Sequence, residues 1–244
     1  MPTYSKTSKD FKTPFGIITP EVNLFPIFFL LFIYGFVYIL PYGKALIGIS
    51  WFDWIRSEDG PLEWLQFFEY VLSAILAFTI YFRRKEKKEI NSLIWLSIAL
   101  LSLIVAGEEI SWGERLTGIG IDTISNLNVQ GDTNFHNLPF FHNYLLDTVF
   151  EISCIFLGWF GWRKFKNKDA LPNKKLSLYF LSVALFYFYF DVSWASTTQQ
   201  IRNDQEIFEF LLSSGIFLHC LEGFNKTRGL TKKKIALSGK SSIY

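Results

Sequence analysis

The sequence predicts an all-α membrane protein, a bundle of six transmembrane helices with a long structured loop between the third and the fourth. Three observations support this class. Half of the 244 residues are hydrophobic and 27 are Phe. Apolar stretches of about 20 residues, the length that crosses a bilayer core as a helix, recur along the chain. Lysines and arginines concentrate in every second connection between those stretches.

Six apolar stretches define the predicted helices. Pro20 and Pro41 bound the first, and Asp59-Gly60-Pro61 opens the second, as is typical of a helix with proline in its first turn. The fourth and sixth stretches are the least apolar of the set. The predicted spans cover residues 22–40, 61–82, 91–110, 144–162, 176–195 and 206–222.

The distribution of positive charge predicts the orientation of these helices. All but four of the 24 lysines and arginines precede the first helix, follow the last, or lie between helices two and three or four and five. The four exceptions are Lys44, Arg56, Arg115 and Arg202. Basic residues favour the cytoplasmic side of a membrane. We therefore expect a membrane domain at 22–225 between a cytoplasmic tail at 1–21 and a basic cytoplasmic tail at 226–244.

Most carboxylates fall in the other connections or at the adjacent helix ends, so the outer surface is predicted to be acidic. An acidic surface attracts cations and repels nucleic acid, which excludes nucleic acid as a partner. The longest outer connection, residues 111–143, is rich in Gly, Asn and Asp, which indicates turns and short helices. A connection of this length in a compact protein is usually functional or disordered, and its aromatic residues argue against disorder.

Two adjacent carboxylates, Glu108 and Glu109, follow the apolar run Leu93–Ala106. A charge at the centre of a membrane helix costs about 2.5–3.5 kcal/mol, so such groups usually face a protein interior or a wet site. Continued helical spacing puts Glu108 on one face with Trp112 and Arg115. We predict that one glutamate is a general base or metal ligand and that Arg115 holds the other. A wetted helix end at the interface is the alternative.

Two of the three histidines, His136 and His142, lie in the long outer connection. Histidine is a common metal ligand and proton shuttle. With Glu109, the two histidines could bind a divalent metal such as zinc and leave a position for water. Their spacing matches no standard zinc motif, and hydrogen bonds to loop carbonyls are the alternative. The side chains predicted to bind substrate are Trp112, Arg115, Gln130, Asn134 and Asn137.

Polar side chains also recur inside the predicted helices. Glu63, Gln66, Tyr70 and Ser73 form a stripe at helical spacing in the second helix, with Glu69 beside it. In the sixth helix, one face carries Arg202, Glu206, Glu209 and Ser213. Because lipid-facing carboxylates are costly, we expect these groups to converge on one polar site in the outer half of the bundle.

Three stretches of the chain resemble a family of bacterial multi-pass membrane proteins whose activity is uncharacterised. Residues 107–115 read Gly-Glu-Glu-Ile-Ser-Trp-Gly-Glu-Arg, and residues 128–137 read Asn-Val-Gln-Gly-Asp-Thr-Asn-Phe-His-Asn. Residues 58–64, Glu-Asp-Gly-Pro-Leu-Glu-Trp, are also similar. Glu114 stands where the family pattern has Gln. The resemblance implies a shared site and a bacterial cytoplasmic membrane, but no particular activity.

Two function classes remain open on these observations. The first is a membrane-embedded hydrolase or transferase that acts on a lipid or lipid-linked substrate at the outer leaflet, with Glu108, Glu109 and His136 as catalytic residues. The second is a non-enzymatic scaffold, subunit or small carrier that works with a membrane-protein partner. The sequence holds no glycine-rich phosphate loop and no Gly-x-Ser-x-Gly nucleophile motif.

Overall fold

The structure is a computed structural model that describes residues 20–39, 46, 48–57, 59–86, 91–128, 131–135, 138–139, 146–165, 170–193 and 199–238. Within these ranges all regular secondary structure is helical. In chain order the α-helices are α1 (Pro20–Leu30), α2 (Ile49–Ile55), α3 (Pro61–Lys85), α4 (Ser92–Glu109), α5 (Glu114–Thr117), α6 (Asp122–Ser125), α7 (Leu146–Ile155), α8 (Gly161–Lys164), α9 (Ser177–Ser193) and α10 (Gln199–Ser238). Turns of π-helix continue α1 over Leu31–Ile39 and α7 over Phe156–Phe160.

Helical segments overlap each of the six predicted stretches within the described residues, and three helices are long and apolar enough to cross a membrane. These three are Pro61–Lys85, Ser92–Glu109 and Asp204–Arg228. The last contains the sixth predicted stretch, although that stretch is among the least apolar by sequence. The described part of the chain is thus all-helical, and its three long apolar helices are compatible with a helical membrane protein.

The side chains of α3 are distributed as a membrane helix requires. Its buried face carries the polar stripe predicted from the sequence, from Glu63 through Gln66 and Tyr70 to Ser73. Its opposite face exposes large apolar side chains at steps of three, four or seven residues, namely Leu65, Phe68, Leu72, Ile75 and Phe82. A contiguous apolar face of this kind marks a lipid or partner contact rather than a surface in water.

Helix α3 packs along α4 and along α10, and α9 packs against α1, α7 and α10. Small residues allow α10 to approach its neighbours closely. A Cβ added at Gly215 would lie 2.8 Å from the Cβ of Tyr179 on α9, and one at Gly223 would overlap the Trp95 ring on α4. Helix α10 is therefore the element that joins the α3–α4 pair to the rest of the bundle.

Two helix ends differ from the predictions. The helix that carries Glu108 ends at Glu109 and does not continue past Ile110, because Ser111 and Trp112 have positive φ angles of 46° and 52°. Helix α10 continues to Ser238, well beyond the predicted end of the sixth span at 222 and into the predicted basic tail.

Candidate functional site

Arg115 is the centre of an ionic cluster at one end of the bundle. Its Nη1 lies 2.5 Å from Glu63 Oε1, and its Nε lies 2.9 Å from Asp59 Oδ1. Asp132 approaches within 3.9 Å, and Nη1 also donates to the main-chain oxygen of Glu109 at 2.9 Å. The side chain of Arg115 is only 14% exposed. The cluster thus ties the start of α3, the end of α4 and the long connection together.

The charge state of Arg115 follows from these neighbours. Burial lowers the pKa of Arg115, but the carboxylates of Glu63, Asp59 and Asp132 raise it by more, so the pKa lies above its ordinary value. The guanidinium therefore stays charged at every pH at which the protein is folded.

The sequence prediction that Arg115 holds a carboxylate of the Glu108–Glu109 pair is not what the geometry shows. Among the described residues, the ion pairs of Arg115 are with Glu63, Asp59 and Asp132. The positive φ angles at Ser111, Trp112 and Gly113 break the helical spacing on which the prediction depended. Non-glycine residues in this conformation are uncommon and cluster at functional sites.

Glu108, near the end of α4, accepts two hydrogen bonds from the long connection. Its Oε1 accepts a hydrogen bond from Trp112 Nε1 at 2.5 Å, and its Oε2 accepts one from the main-chain N–H of Phe135 at 2.7 Å. The rings of Trp112 and Phe135 meet edge to face, with their centroids 5.9 Å apart. Both carboxylate oxygens of Glu108 are thus engaged in hydrogen bonds to the long connection.

A second carboxylate, Glu114, holds the same connection at another point. Its Oε2 accepts from the main-chain N–H of Thr133 at 2.7 Å, and the Thr133 hydroxyl accepts from the N–H of Ile121 at 2.7 Å. Beside them, Asn134 is fully buried. Asn128 Nδ2 donates to Asn134 Oδ1 at 2.6 Å, whereas Asn134 Nδ2 has no hydrogen-bond partner among the described residues.

Four carboxylates from three helices lie close enough to one another, near Arg115, to interact electrostatically. We name Glu63 of α3, Glu109 of α4, and Glu206 and Glu209 of α10 the carboxylate cluster. Glu109 and Glu206 each experience electrostatic repulsion from Glu209 and Glu63, and Glu206 also from Glu109. Glu63 and Glu206 are buried, and the other two are partly buried. The polar groups of α3 and α10 that the sequence predicted to converge are therefore in contact, whereas the side chain of Arg202 lies outside the described residues.

Neutral donors stabilise part of this cluster. Gln66 Nε2 donates to Glu206 Oε2 at 2.9 Å. Glu209 Oε1 accepts from the Tyr187 hydroxyl at 3.0 Å and from Gln205 Nε2 at 2.8 Å.

One turn further along α3, Glu69 accepts hydrogen bonds from the serine hydroxyls of α10, at 2.6 Å from Ser213 and 2.9 Å from Ser214. A polar seam thus runs between α3 and α10 on the interior side of both helices.

A buried ion pair near this seam was not identified from the sequence. Arg56 Nη1 lies 2.6 Å from Asp204 Oδ1, and both side chains are less than a tenth exposed. Arg56 also pairs with Asp53 at 2.8 Å, and the Tyr34 hydroxyl donates to Asp204 at 3.3 Å. Arg56 is one of the few basic residues among the outer carboxylates, and this position could have indicated that it forms an ion pair. Sequence spacing cannot identify a partner 148 residues away.

Several predicted site residues lie outside the described residues: Gln130, His136, Asn137 and His142. Their predicted roles, and the metal site of Glu109, His136 and His142, therefore stay predictions. Within the described part of the chain, no group of three or more His, Cys, Asp or Glu side chains is arranged to hold a metal ion. The third histidine, His219, stacks on Trp95 with the ring centroids 4.9 Å apart and contacts the Ala170 carbonyl oxygen at 3.0 Å, near the middle of α10 and away from the carboxylate cluster.

Comparison with known proteins finds no matching family model, no similar curated protein and no similar solved structure. The resemblance drawn from residues 58–64, 107–115 and 128–137 accordingly stays an expectation. The case for a function depends on the site itself.

Proposed function

We propose that this chain is a six-span protein of a bacterial cytoplasmic membrane and that it acts as a hydrolase or transferase on a lipid or lipid-linked substrate at the outer leaflet. Both termini are cytoplasmic in this proposal. The observation that supports it is the meeting of carboxylates from α3, α4 and α10 beside Arg115 in the interior of the bundle.

The positions of the charges support the orientation. The basic connections and the basic end of α10 belong on the cytoplasmic side by the positive-inside rule. The Arg115 end of the bundle then faces outward, because Asp59, Arg115 and Asp132 lie in connections on the other side of the membrane. A substrate held by the outer leaflet would reach the carboxylate cluster past Arg115.

The chemistry proposed for the site is acid–base catalysis by a pair of carboxyl groups. Several carboxylates that repel one another in a low-dielectric interior cannot all stay charged without bound cations or protons. One protonated and one ionised carboxyl group side by side supply a general acid and a general base. Glu109 is the best candidate for the base, because it belongs to the cluster, whereas both oxygens of Glu108 accept hydrogen bonds from the long connection.

The remaining predicted residues take roles around Glu109. His136 follows Phe135, the residue that Glu108 holds, and we propose it as proton shuttle or metal ligand. The substrate-binding set stays as predicted: Trp112, Arg115, Gln130, Asn134 and Asn137. Asn134 Nδ2, which has no hydrogen-bond partner in the described part of the chain, is the donor proposed for a polar headgroup. In the metal-dependent form of this proposal, Glu109, His136 and His142 bind a divalent metal such as zinc.

The test is product formation from lipid by the purified protein in nanodiscs made from a total bacterial lipid extract. We expect new products by mass spectrometry with wild-type protein, and at least about a hundredfold less with Glu109→Gln or His136→Ala. Glu222→Gln is the matched control, since Glu222 lies near the far end of α10 and pairs with Lys226. Full product formation by Glu109→Gln would contradict the catalytic assignment. Elemental analysis of the same sample tests the metal-dependent form, which requires stoichiometric metal.

The alternative is a non-enzymatic membrane scaffold, subunit or small carrier. It is favoured by the hydrogen bonds that some interior carboxylates already make within the chain, such as those of Glu69 with Ser213 and Ser214. In that case the polar seam fixes the bundle or carries an ion. No product from wild-type protein, together with stoichiometric co-purification of a second membrane protein, would favour the scaffold or subunit.

A further inference from the structure

Gln66 carries an unpartnered hydrogen-bond acceptor in the interior of the bundle. Its side chain is fully buried, and its Nε2 donates to the carboxylate of Glu206. Its Oε1 is buried and accepts no hydrogen bond within the described residues. A buried acceptor without a donor costs about 1–3 kcal/mol. This position therefore favours a ligand that brings a donor.

The neighbours of Gln66 define the charge of that donor. Glu206, which Gln66 contacts, is repelled by Glu209, Glu63 and Glu109. Ionised carboxylates accept hydrogen bonds and cannot donate them. Arg115, which contacts Glu63, is shared with Asp59 and so does not neutralise the cluster alone. A positively charged group with N–H donors would donate a hydrogen bond to Gln66 Oε1 and would also offset the negative charge of the carboxylates.

An ammonium group fits this arrangement better than a metal ion does. A divalent metal needs several ligands within about 2–2.6 Å of one point, and no such group of side chains occurs in the described residues. A primary ammonium carries three donors on a compact charge and bonds to acceptors spaced further apart, at about 2.8 Å from its nitrogen. The amide oxygen of Gln66 and the carboxylate of Glu206 supply two acceptors of that kind.

We propose that the carboxylate cluster and Gln66 form a binding site for a primary ammonium group, with Gln66 Oε1 and the Glu206 carboxylate as its acceptors. This inference rests on the proposed function and names its substrate class, an amine-bearing lipid headgroup or a small free amine. The end of the bundle at Arg115, where Asp59 is exposed, is the proposed entrance for this group.

The test measures binding rather than turnover, with wild-type protein in nanodiscs of phosphatidylglycerol, which contains no amine. Two probes are titrated by calorimetry: ethanolamine, and dihexanoyl phosphatidylethanolamine as its lipid-borne form. Choline and dihexanoyl phosphatidylcholine are the paired controls, because a quaternary nitrogen has the charge but no N–H donor. We expect at least one ethanolamine probe to bind, and its choline counterpart to bind at least about tenfold more weakly. Binding of the lipid alone, or of free ethanolamine as well, distinguishes the two sources.

Variants locate the site. Gln66→Met keeps the side-chain volume but removes the acceptor, and Glu206→Gln removes a charge at constant size. Each is expected to weaken ethanolamine binding at least about tenfold, whereas Glu222→Gln leaves it unchanged. If neither variant purifies as a folded protein, the proposal is tested by the difference in affinity of the wild-type protein for the ethanolamine and choline probes.

The outcomes separate this inference from the proposed function. It is overturned if neither ethanolamine probe binds, if the choline probes bind equally well, or if both folded variants bind like wild type. Selective ethanolamine binding without product formation from bacterial lipid would reject the enzyme and keep the site. Product formation from amine-free lipid without ethanolamine binding would keep the enzyme and reject the ammonium site.

Discussion

Arg115 shows how a single side chain organises this end of the protein. Its guanidinium contacts carboxylates from two connections and one helix, and it also donates to the carbonyl oxygen at the end of α4. A planar group with five donors can satisfy more acceptors at once than the three donors of lysine can, and in a fixed geometry. Arg115 therefore has a structural role, and a contact with substrate would be an additional role.

Replacement of Arg115 by Met should destabilise the folded protein by about 3 kcal/mol, because it leaves Glu63 largely buried and without its cation. Unfolding in mixed detergent–SDS micelles measures the change. Arg228→Met is the matched control, since Arg228 is exposed, and its effect should stay within about 0.5 kcal/mol. Equal stability of Arg115→Met and wild type would show that the ionic cluster does not stabilise the fold.

Helix α10 is the element on which the packing depends. It contacts α9 through Gly215 and α4 through Gly223, and it contributes Glu206, Glu209, Ser213 and Ser214 to the polar seam. Displacement of α10 would therefore loosen the hydrophobic core and the carboxylate cluster together.

Gly215→Ala tests this coupling. The added methyl group would lie 2.8 Å from the Tyr179 Cβ, so the two helices must separate, at a cost of about 1–3 kcal/mol. Gly35→Ala is the control, because no atom lies within 4 Å of the new Cβ and alanine favours helix. Thermal unfolding of both variants should show a lower Tm for Gly215→Ala alone. A lowered Tm for both would point to a general sensitivity to substitution instead.

Helical spacing explains which parts of the site were predictable. Glu63, Gln66, Tyr70 and Ser73 lie within one helix, so their common buried face follows from the sequence alone. The partners of Arg115 do not follow from the sequence, because the helical spacing ends at Trp112. This residue has a positive φ angle, which bulky side chains normally avoid.

Contacts between residues far apart in the chain could not be predicted from the sequence either. The contact of Gln66 with Glu206 joins residues 140 positions apart, and periodicity gives a face for each helix but not which faces meet. The polar stripes of α3 and α10 could thus each be predicted, while their shared seam needed the packed structure.

At the scale of the whole molecule, charge is separated along the bundle. The carboxylate cluster and Arg115 lie at one end, and Arg83, Arg84 and the basic part of α10 lie at the other. Basic residues are retained on the cytoplasmic side of membrane proteins, so this distribution supports the orientation proposed above. In that proposed orientation the site lies within reach of the outer leaflet.

The six-span orientation predicts that Thr123 and Arg228 lie on opposite sides of the membrane, because three spans separate them. Both residues are exposed, and the native cysteines, Cys154 and Cys220, are buried and should react little. In intact bacterial spheroplasts, a membrane-impermeant maleimide should label Thr123→Cys, and it should label Arg228→Cys only after permeabilisation. The reversed pattern would invert the orientation and move the site to the cytoplasmic leaflet. Labelling of both positions in intact cells would require an even number of spans between them and so reject the six-span arrangement.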